Sequence, residues 1–293
     1  MTKSYVLITP ARNEGAFLPG VVDSILKQTV RPARWIIISD GSTDNTDQVA
    51  AAAAQQHSFI RLIRVEAGPT RSFGSKAKAF QKGCDAVQDV PFDFIGNLDA
   101  DITLERDYYE RMIREMEQNP KLGVASGACW DKTPEGFRKI TISENHAVGA
   151  VQFFRRACFE AVGGYRPMTV GGVDSLAVLT ARMHGWHTRV FMDVPLYHHK
   201  PVDSAGGRTA IRIAYRAGMT EYHIGSHPLF ALAKAMRRWR ERPFPAAPFI
   251  RLYGYFRLYL SGAKRDAPDE LVAYLKTEQL RILRETLKGN PPA

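Results

Sequence analysis

Ile95-Gly96-Asn97-Leu98-Asp99-Ala100-Asp101 sets two carboxylates one residue apart, directly after an apolar run from Phe92 to Ile95 that has the length and composition of a buried strand. A strand ending here in an open α/β sheet delivers both carboxylates to the crevice beyond its C-terminal end, where such sheets bind ligands. Oxygen ligands of this kind suit a hard divalent cation, which commonly keeps substrate phosphates among its other partners. The stretch therefore predicts a metal-bridged nucleotide site. An isolated Asp-x-Asp also describes two solvated turn residues, so the flanking chain has to decide.

Upstream, Tyr5–Ile8 reads as a strand stopped by Thr9-Pro10, and the apolar spacing of Phe17, Val21, Val22, Ile25 and Leu26 predicts a helix up to Gln28. Arg34–Ile38 is a second strand, running into the polar loop Ser39–Thr46 and a helix through Ala54, with Ser42, Thr43 or Asp44 as its cap. Ile60–Val65 and a helix over Ser75–Val87 complete a βαβαβαβ alternation, which predicts a parallel sheet covered by helices. Its strand ends share one rim, so Asp40 faces the same crevice as Asp99 and Asp101.

Downstream, the pattern predicts a helix over Leu104–Met116, strands at Gly123–Ser126 and Val148–Phe154, and a helix Arg156–Val162 stopped by Gly163-Gly164. Trp130–Ile142 has no clear period. A helix follows over Asp174–His184, with Asp174 at its start as an N-terminal carboxylate. Short strands at Thr188–Met192 and Val194–Tyr197 lead to His198-His199, and adjacent strand residues point to opposite faces, so at most one imidazole reaches a given pocket. Beyond Pro201 the chain turns into basic, aromatic helices over Arg208–Met219, Pro228–Arg240, Phe249–Leu260 and Asp269–Leu287. This places a domain boundary near residue 203, between 1–203 and 204–293.

With 45% hydrophobic and 24% charged residues over 293 positions, the chain is globular rather than disordered. Its net charge of +10 is concentrated late, as in Arg237-Arg238-Trp239-Arg240, which leaves anionic lipid, nucleic acid and phosphorylated substrate as partner classes. No nucleic-acid recognition motif accompanies the charge, so nucleic acid is not expected. Cys84, Cys129 and Cys158 are too scattered for a disulfide framework and fit a reducing compartment. The first apolar run is too short for a signal peptide, and no stretch of about 20 apolar residues predicts a spanning helix. The expectation is a cytoplasmic chain, with peripheral attachment to the inner face of the cell membrane left open.

In order and spacing, these pieces resemble an inverting family 2 glycosyltransferase of the GT-A fold over roughly residues 4 to 200. The opening loop Thr9-Pro10-Ala11-Arg12-Asn13-Glu14, the second-strand block Ile38-Ser39-Asp40-Gly41-Ser42-Thr43-Asp44-Asn45-Thr46 and the Leu98-Asp99-Ala100-Asp101 motif carry the likeness. So do Gly163-Gly164-Tyr165, Gly171-Gly172-Val173-Asp174 and His184-Gly185-Trp186. The resemblance implies an α/β fold, a Rossmann-like mostly parallel sheet with helices on both faces, plus a C-terminal helical extension. It implies that Asp40 recognises uracil or ribose, with Pro10, Arg12, Asn13 and Glu14 packed around the nucleotide and Arg71 and Lys76 at the diphosphate. Asp99 would meet ribose and metal, Asp101 the metal, and His198 or His199 would be a further ligand of Mn²⁺ or Mg²⁺. Asp174 would be the general base.

The implied reaction moves a sugar from a nucleotide-diphosphate sugar, UDP-linked, to a saccharide or lipid-linked hydroxyl in bacterial polysaccharide or glycolipid assembly. Two departures qualify it. Val173 stands where the family has a first acid before Asp174, and the Gln-x-x-Arg-Trp segment of processive members is absent, which favours transfer of single sugars. Rival readings are a sugar-1-phosphate nucleotidyltransferase, which needs a glycine-rich basic loop after the first strand, and a non-catalytic protein that binds sugar nucleotides or a membrane surface.

Overall fold

The computed structural model describes residues 3–66, 73–200 and 210–289. The chain divides into two compact units, residues 1–167 with 173–202, and residues 168–172 with 203–293.

The first unit is a single sheet between two helical layers. Its elements run β1 (Tyr5–Ala11), α1 (Leu18–Leu26), β2 (Arg34–Asp40), α2 (Thr46–Gln56), β3 (Ile60–Val65), α3 (Phe73–Asp85) and β4 (Phe94–Leu98). Then follow β5 (Ile102–Leu104), α4 (Tyr108–Gln118), β6 (Leu122–Thr133), β7 (Gly136–Lys139), β8 (Val151–Arg155), α5 (Arg156–Val162), α6 (Val173–Met183) and β9 (His187–His198). The strand order is β3-β2-β1-β4-β8-β6-β9-β5, with β7 hairpinned onto β6. The β3-β2-β1-β4 half is parallel, β8 runs antiparallel to both β4 and β6, and β9 is parallel to β6.

Period-two alternation feeds both faces. Tyr5, Leu7, Trp35 and Ile37 pack with α1, α2 and α4, while Val6, Ile8, Ile36 and Ile38 pack with α3, α5 and α6. Burial on both faces is why β1 and β2 read as unbroken apolar runs. At roughly 25 cal/mol per Å² of apolar surface removed from water, these clusters dominate the unit's stability.

Four sequence expectations shift. β6 continues to Thr133 and turns into the β7 hairpin, through the segment that carried no clear period. The whole of β7 is exposed, so neither of its faces is apolar enough to print a pattern. Three-residue β5 takes the place of the start predicted for the helix at Leu104, and α4 begins at Tyr108. The two short strands after Thr188 are one strand, β9, whose pairing with β6 slips between Gly127 and Ala128. Asn45 occupies the cap position of α2 without a side-chain cap, and Asp44 instead accepts from Thr46 N at 3.0 Å and Gly15 N at 3.0 Å.

The second unit contains α7 (Ala210–Ile224), α8 (Pro228–Arg237), α9 (Ala247–Leu260) and α10 (Asp269–Leu287). Glycines let α7 and α9 touch backbone to backbone: a Cβ on Gly218 would lie 1.9 Å from Arg251 O, and one on Gly254 2.3 Å from Tyr215 O. The buried Tyr255 donates from its hydroxyl to Ser226 O at 2.6 Å. Asp266 accepts from Thr169 N at 2.8 Å and Thr169 Oγ1 at 2.9 Å, anchoring residues 168–172 to this unit. Among the described residues, no helix is long and apolar enough to cross a membrane.

Candidate functional site

Strand register builds a rim at the C-terminal ends of β2, β1 and β4. Ile8 pairs with both Ile36 and Asn97. Asp99, two residues past Asn97, is therefore level with Pro10, and Asp40 ends the strand on the far side of β1, two inter-strand spacings or roughly 10 Å across. Arg12 lies 3.7 Å from Asp40.

The loop after β1 is stitched to the loop after β2. Asn13 adopts φ 56°, a left-handed conformation that asparagine tolerates, and its Oδ1 accepts from Thr43 N at 2.8 Å. Asn13 N donates to Ser42 Oγ at 3.2 Å and Glu14 N to Thr46 Oγ1 at 2.9 Å. Two loops that sequence reading assigned to one nucleotide are thus held as one surface. Glu14 is paired with Lys200 Nζ at 2.6 Å, but burial, reinforced by Asp101 and Asp99, outweighs that partner and raises its carboxyl above the usual range.

Asp99, Asp101 and Asp174 share one positive neighbour. Lys76 Nζ donates to Asp99 Oδ1 at 2.5 Å. Burial works against the lysine's charge, yet Asp99 first, then Asp174 and Asp101, hold its amine above the ordinary range. Asp99 itself is raised by burial, which Lys76 opposes and Asp101 reinforces. Asn97 fixes the surroundings: its Nδ2 donates to Gly149 O at 3.0 Å and lies 3.3 Å from Asp99 Oδ1, while Asp99 N donates to Ala150 O at 2.9 Å. Gly149 in turn lies against Asp174, in the first turn of α6; a Cβ there would stand 2.1 Å from Asp174 Oδ2.

Pairing of β9 with β5 and β6 sets His198 opposite Ile102 and Asp131. His198 Nε2 is 3.4 Å from Asp101 Oδ2, and its Nδ1 is 2.9 Å from Asp131 Oδ1. Burial alone would lower this imidazole; hydrogen bonds to Asp101 and Asp131 outweigh it and lift it to about 10. His199, the other imidazole of the pair, has its Nε2 2.7 Å from Thr103 Oγ1 and its ring against Phe137. Opposite side-chain directions on one strand explain the split. Arg71 lies outside the described residues.

Cys129, Asp131 and His198 offer ligand atoms within 4.8 Å of one another. Burial, then Asp131, pushes the Cys129 thiol up to about 12. A protonated thiol is a poor ligand for a hard cation, which leaves Asp101 and Asp131, the carboxylates on either side of the His198 ring, as the oxygen donors beside that imidazole. Oxygen donors plus one imidazole fit Mn²⁺ or Mg²⁺. Asp131, Asn97, Gly149 and Lys200 were missed in the sequence; only the pairing of strands distant in the chain brings the first of these to His198.

A family profile described as Glycosyl transferase family 2 matches residues 6–168, more than half of the chain. The chain belongs to glycosyl transferase family 2. The match takes in Asp40, Asp99 and Asp101 and stops before Asp174 and His198. Over 115 residues this family member is 29% identical to poly-beta-1,6-N-acetyl-D-glucosamine synthase of Staphylococcus epidermidis, covering 39% of the chain and 26% of that relative. The mannosyltransferase PcManGT from Pyrobaculum calidifontis, solved with GDP-Man and Mn²⁺, superposes with a TM-score of 0.57 at 20% identity, over 97% of this chain and 82% of that one. S. aureus TarS 1-349 in complex with UDP-GlcNAc gives 0.55 at 13% identity, over 89% and 73%. At these identities the likeness is one of fold, and that fold is GT-A.

Proposed function

We propose that the chain is a metal-dependent, inverting glycosyltransferase that moves a sugar from a nucleotide-diphosphate sugar, UDP-linked, to a hydroxyl acceptor. The observation that carries this reading is the gathering of Asp99, Asp101 and Asp174 around Lys76, with His198 beside Asp101. Family membership supports it, as do the GDP-Man and UDP-GlcNAc complexes of its structural neighbours. The rival nucleotidyltransferase lacks its glycine-rich loop here: β1 ends at Ala11 and Arg12-Asn13-Glu14 follows it instead.

In this reading Asp40 and the stitched loops from Pro10 to Glu14 hold base and ribose, and Asp99 meets the ribose. Asp101, Asp99 and His198 would hold a divalent cation, which would supply positive charge to the departing diphosphate. Asp131, hydrogen-bonded to His198 Nδ1, fixes the orientation of that ring. Lys76, already at Asp99, adds a second positive charge on the donor side. Asp174 takes the proton of the acceptor hydroxyl as it attacks the anomeric carbon from the face opposite the nucleotide, and that single displacement inverts the centre. The acceptor class is a saccharide or lipid-linked saccharide, met at or near a membrane surface, in polysaccharide or glycolipid assembly.

Asp174→Asn tests the assignment. General-base help is worth about 10²–10⁴ in rate, so turnover falls by that factor while Mn²⁺-dependent stabilisation by UDP, read as a shift in melting temperature, persists. Near-normal turnover in the variant removes Asp174 as the base. Absence of any metal-dependent stabilisation across a panel of nucleotide sugars removes the donor reading.

A further inference from the structure

Nine of the twelve exposed large hydrophobic side chains among the described residues fall between 228 and 260. The clustering marks a local surface rather than the scatter normal for a soluble protein. Along α8, Leu229, Leu232 and Met236 recur at helical spacing and are 56%, 42% and 52% exposed, while Ala231 and Ala235 take the buried side. Along α9, Phe249, Tyr253 and Leu260 are 68%, 64% and 82% exposed and lie opposite the buried Ala247, Gly254 and Tyr255. Trp239 and Phe244, in the connection between the two helices, pack ring to ring at 5.5 Å and are themselves 45% and 60% exposed.

The same stretch carries seven basic residues and one acidic residue, Glu241. Arg237, Arg240 and Arg242 are exposed around the aromatic connection, and Arg257 is exposed on α9. Arg240 lies over the Trp239 ring at 5.3 Å. A second copy of this face would bring arginine against arginine. Nucleic acid would satisfy the arginines but has no use for exposed Leu229, Leu232, Met236 and Leu260. Hydrocarbon beneath anionic headgroups satisfies both sets at once, with Trp and Tyr at the headgroup level.

We propose that the exposed apolar side of α8, the Trp239–Phe244 connection and α9 form a face that docks in the plane of an anionic lipid bilayer. The apolar side chains enter the outer acyl region, and the surrounding arginines pair with lipid phosphates. α9 has 14 residues, about 21 Å at 1.5 Å per residue, against a hydrocarbon core of about 30 Å, so it lies along the interface. Each exposed arginine near such a surface multiplies binding roughly fivefold. The proposal stands apart from the sugar-transfer reading, because vesicle binding is measured without turnover.

The test is flotation of the full chain with vesicles of phosphatidylcholine alone and of phosphatidylcholine containing phosphatidylglycerol. Wild type floats with the anionic vesicles at least about tenfold more than with neutral ones, and part of that binding survives 0.5 M salt because the apolar anchors remain. Phe249→Asp combined with Leu260→Asp cuts flotation at least about tenfold with an unchanged melting temperature, since both side chains already stand in solvent. Arg240→Gln combined with Arg242→Gln removes most of the preference for anionic lipid. Wild type that stays unbound, a Phe249/Leu260 variant that floats like wild type, or binding that salt or an RNA competitor removes completely would each overturn the proposal.

Discussion

Gly149→Ala isolates the geometry of the proposed base from its chemistry. A methyl at residue 149 would stand 2.1 Å from Asp174 Oδ2, 2.5 Å from Cγ and 2.9 Å from Cβ. Non-bonded heavy atoms settle near 3.5 Å or beyond, so the carboxylate has to retreat by about 1 Å or more. A misplacement of that size costs on the order of 10²-fold in rate, or ~2.7 kcal/mol of transition-state stabilisation. Residue 149 itself has no left-handed φ, so alanine brings no backbone strain of its own. The expected outcome in a donor-hydrolysis or transfer assay is a kcat lowered about 100-fold, with UDP affinity and melting temperature close to wild type. Because both changes act through one carboxylate, Gly149→Ala on top of Asp174→Asn adds little, as a double-mutant cycle would read. A Gly149→Ala protein within threefold of wild-type kcat, or fully multiplicative losses in the double variant, would refute the argument.

Three further outcomes test other parts of the chain. Asp131→Ala frees His198 Nδ1 and lowers Mn²⁺ affinity about 10–100-fold by titration calorimetry, with the metal-free fold intact. Gly218→Ala forces a methyl to 1.9 Å from Arg251 O and destabilises the second unit by about 1–3 kcal/mol or more, seen by calorimetry as an earlier transition. Burial opposes ionisation of Glu221, but Lys234 and Ser226 outweigh it and hold its carboxyl below the usual range. A depressed folded value stabilises above the unfolded value, near pH 4.3, and that contribution is lost as pH falls through the folded one, so Glu221→Gln flattens the acid limb of denaturant-measured stability.

How much was legible in the sequence follows from where each signal resides. β1 and β2 announce themselves because burial on both faces makes their apolar runs continuous, and the Asp99-Asp101 spacing is local. The parallel, helix-covered sheet expected from those runs is found, and so is the GT-A fold that the family resemblance implied. Asp131 carried no such signal. It meets His198 across 67 positions of sequence, through a β6–β9 register that slips at Gly127, and a slip of one residue turns a side chain to the other face. His199 was indistinguishable from His198 until the strand's facing was known. Gly149 read as part of a strand, whereas β8 begins at Val151 and leaves Gly149 as backbone held by Asn97. Exposed β7 follows neither period because nothing buries it.

The spacing of the two aspartates is itself a consequence of the sheet. β4 lies between β1 and β8, whereas β5, which starts one residue after Asp101, is the far edge strand on β9. Between Asp99 and Asp101 the chain therefore leaves the parallel half of the sheet for the half that carries His198. Ala100 makes that crossing with its side chain 3% exposed in the same cluster as Tyr108 and Val151, which leaves the flanking carboxylates on the rim. A directly adjacent pair would lose the alternation, and a pair two residues apart would move the second carboxylate away from His198 Nε2. The intervening residue has to be small, since a larger side chain there would push against a core already filled by aromatic rings and shift both carboxylates together. The motif's one-residue gap is thus fixed by the packing of Ala100 beneath the two carboxylates.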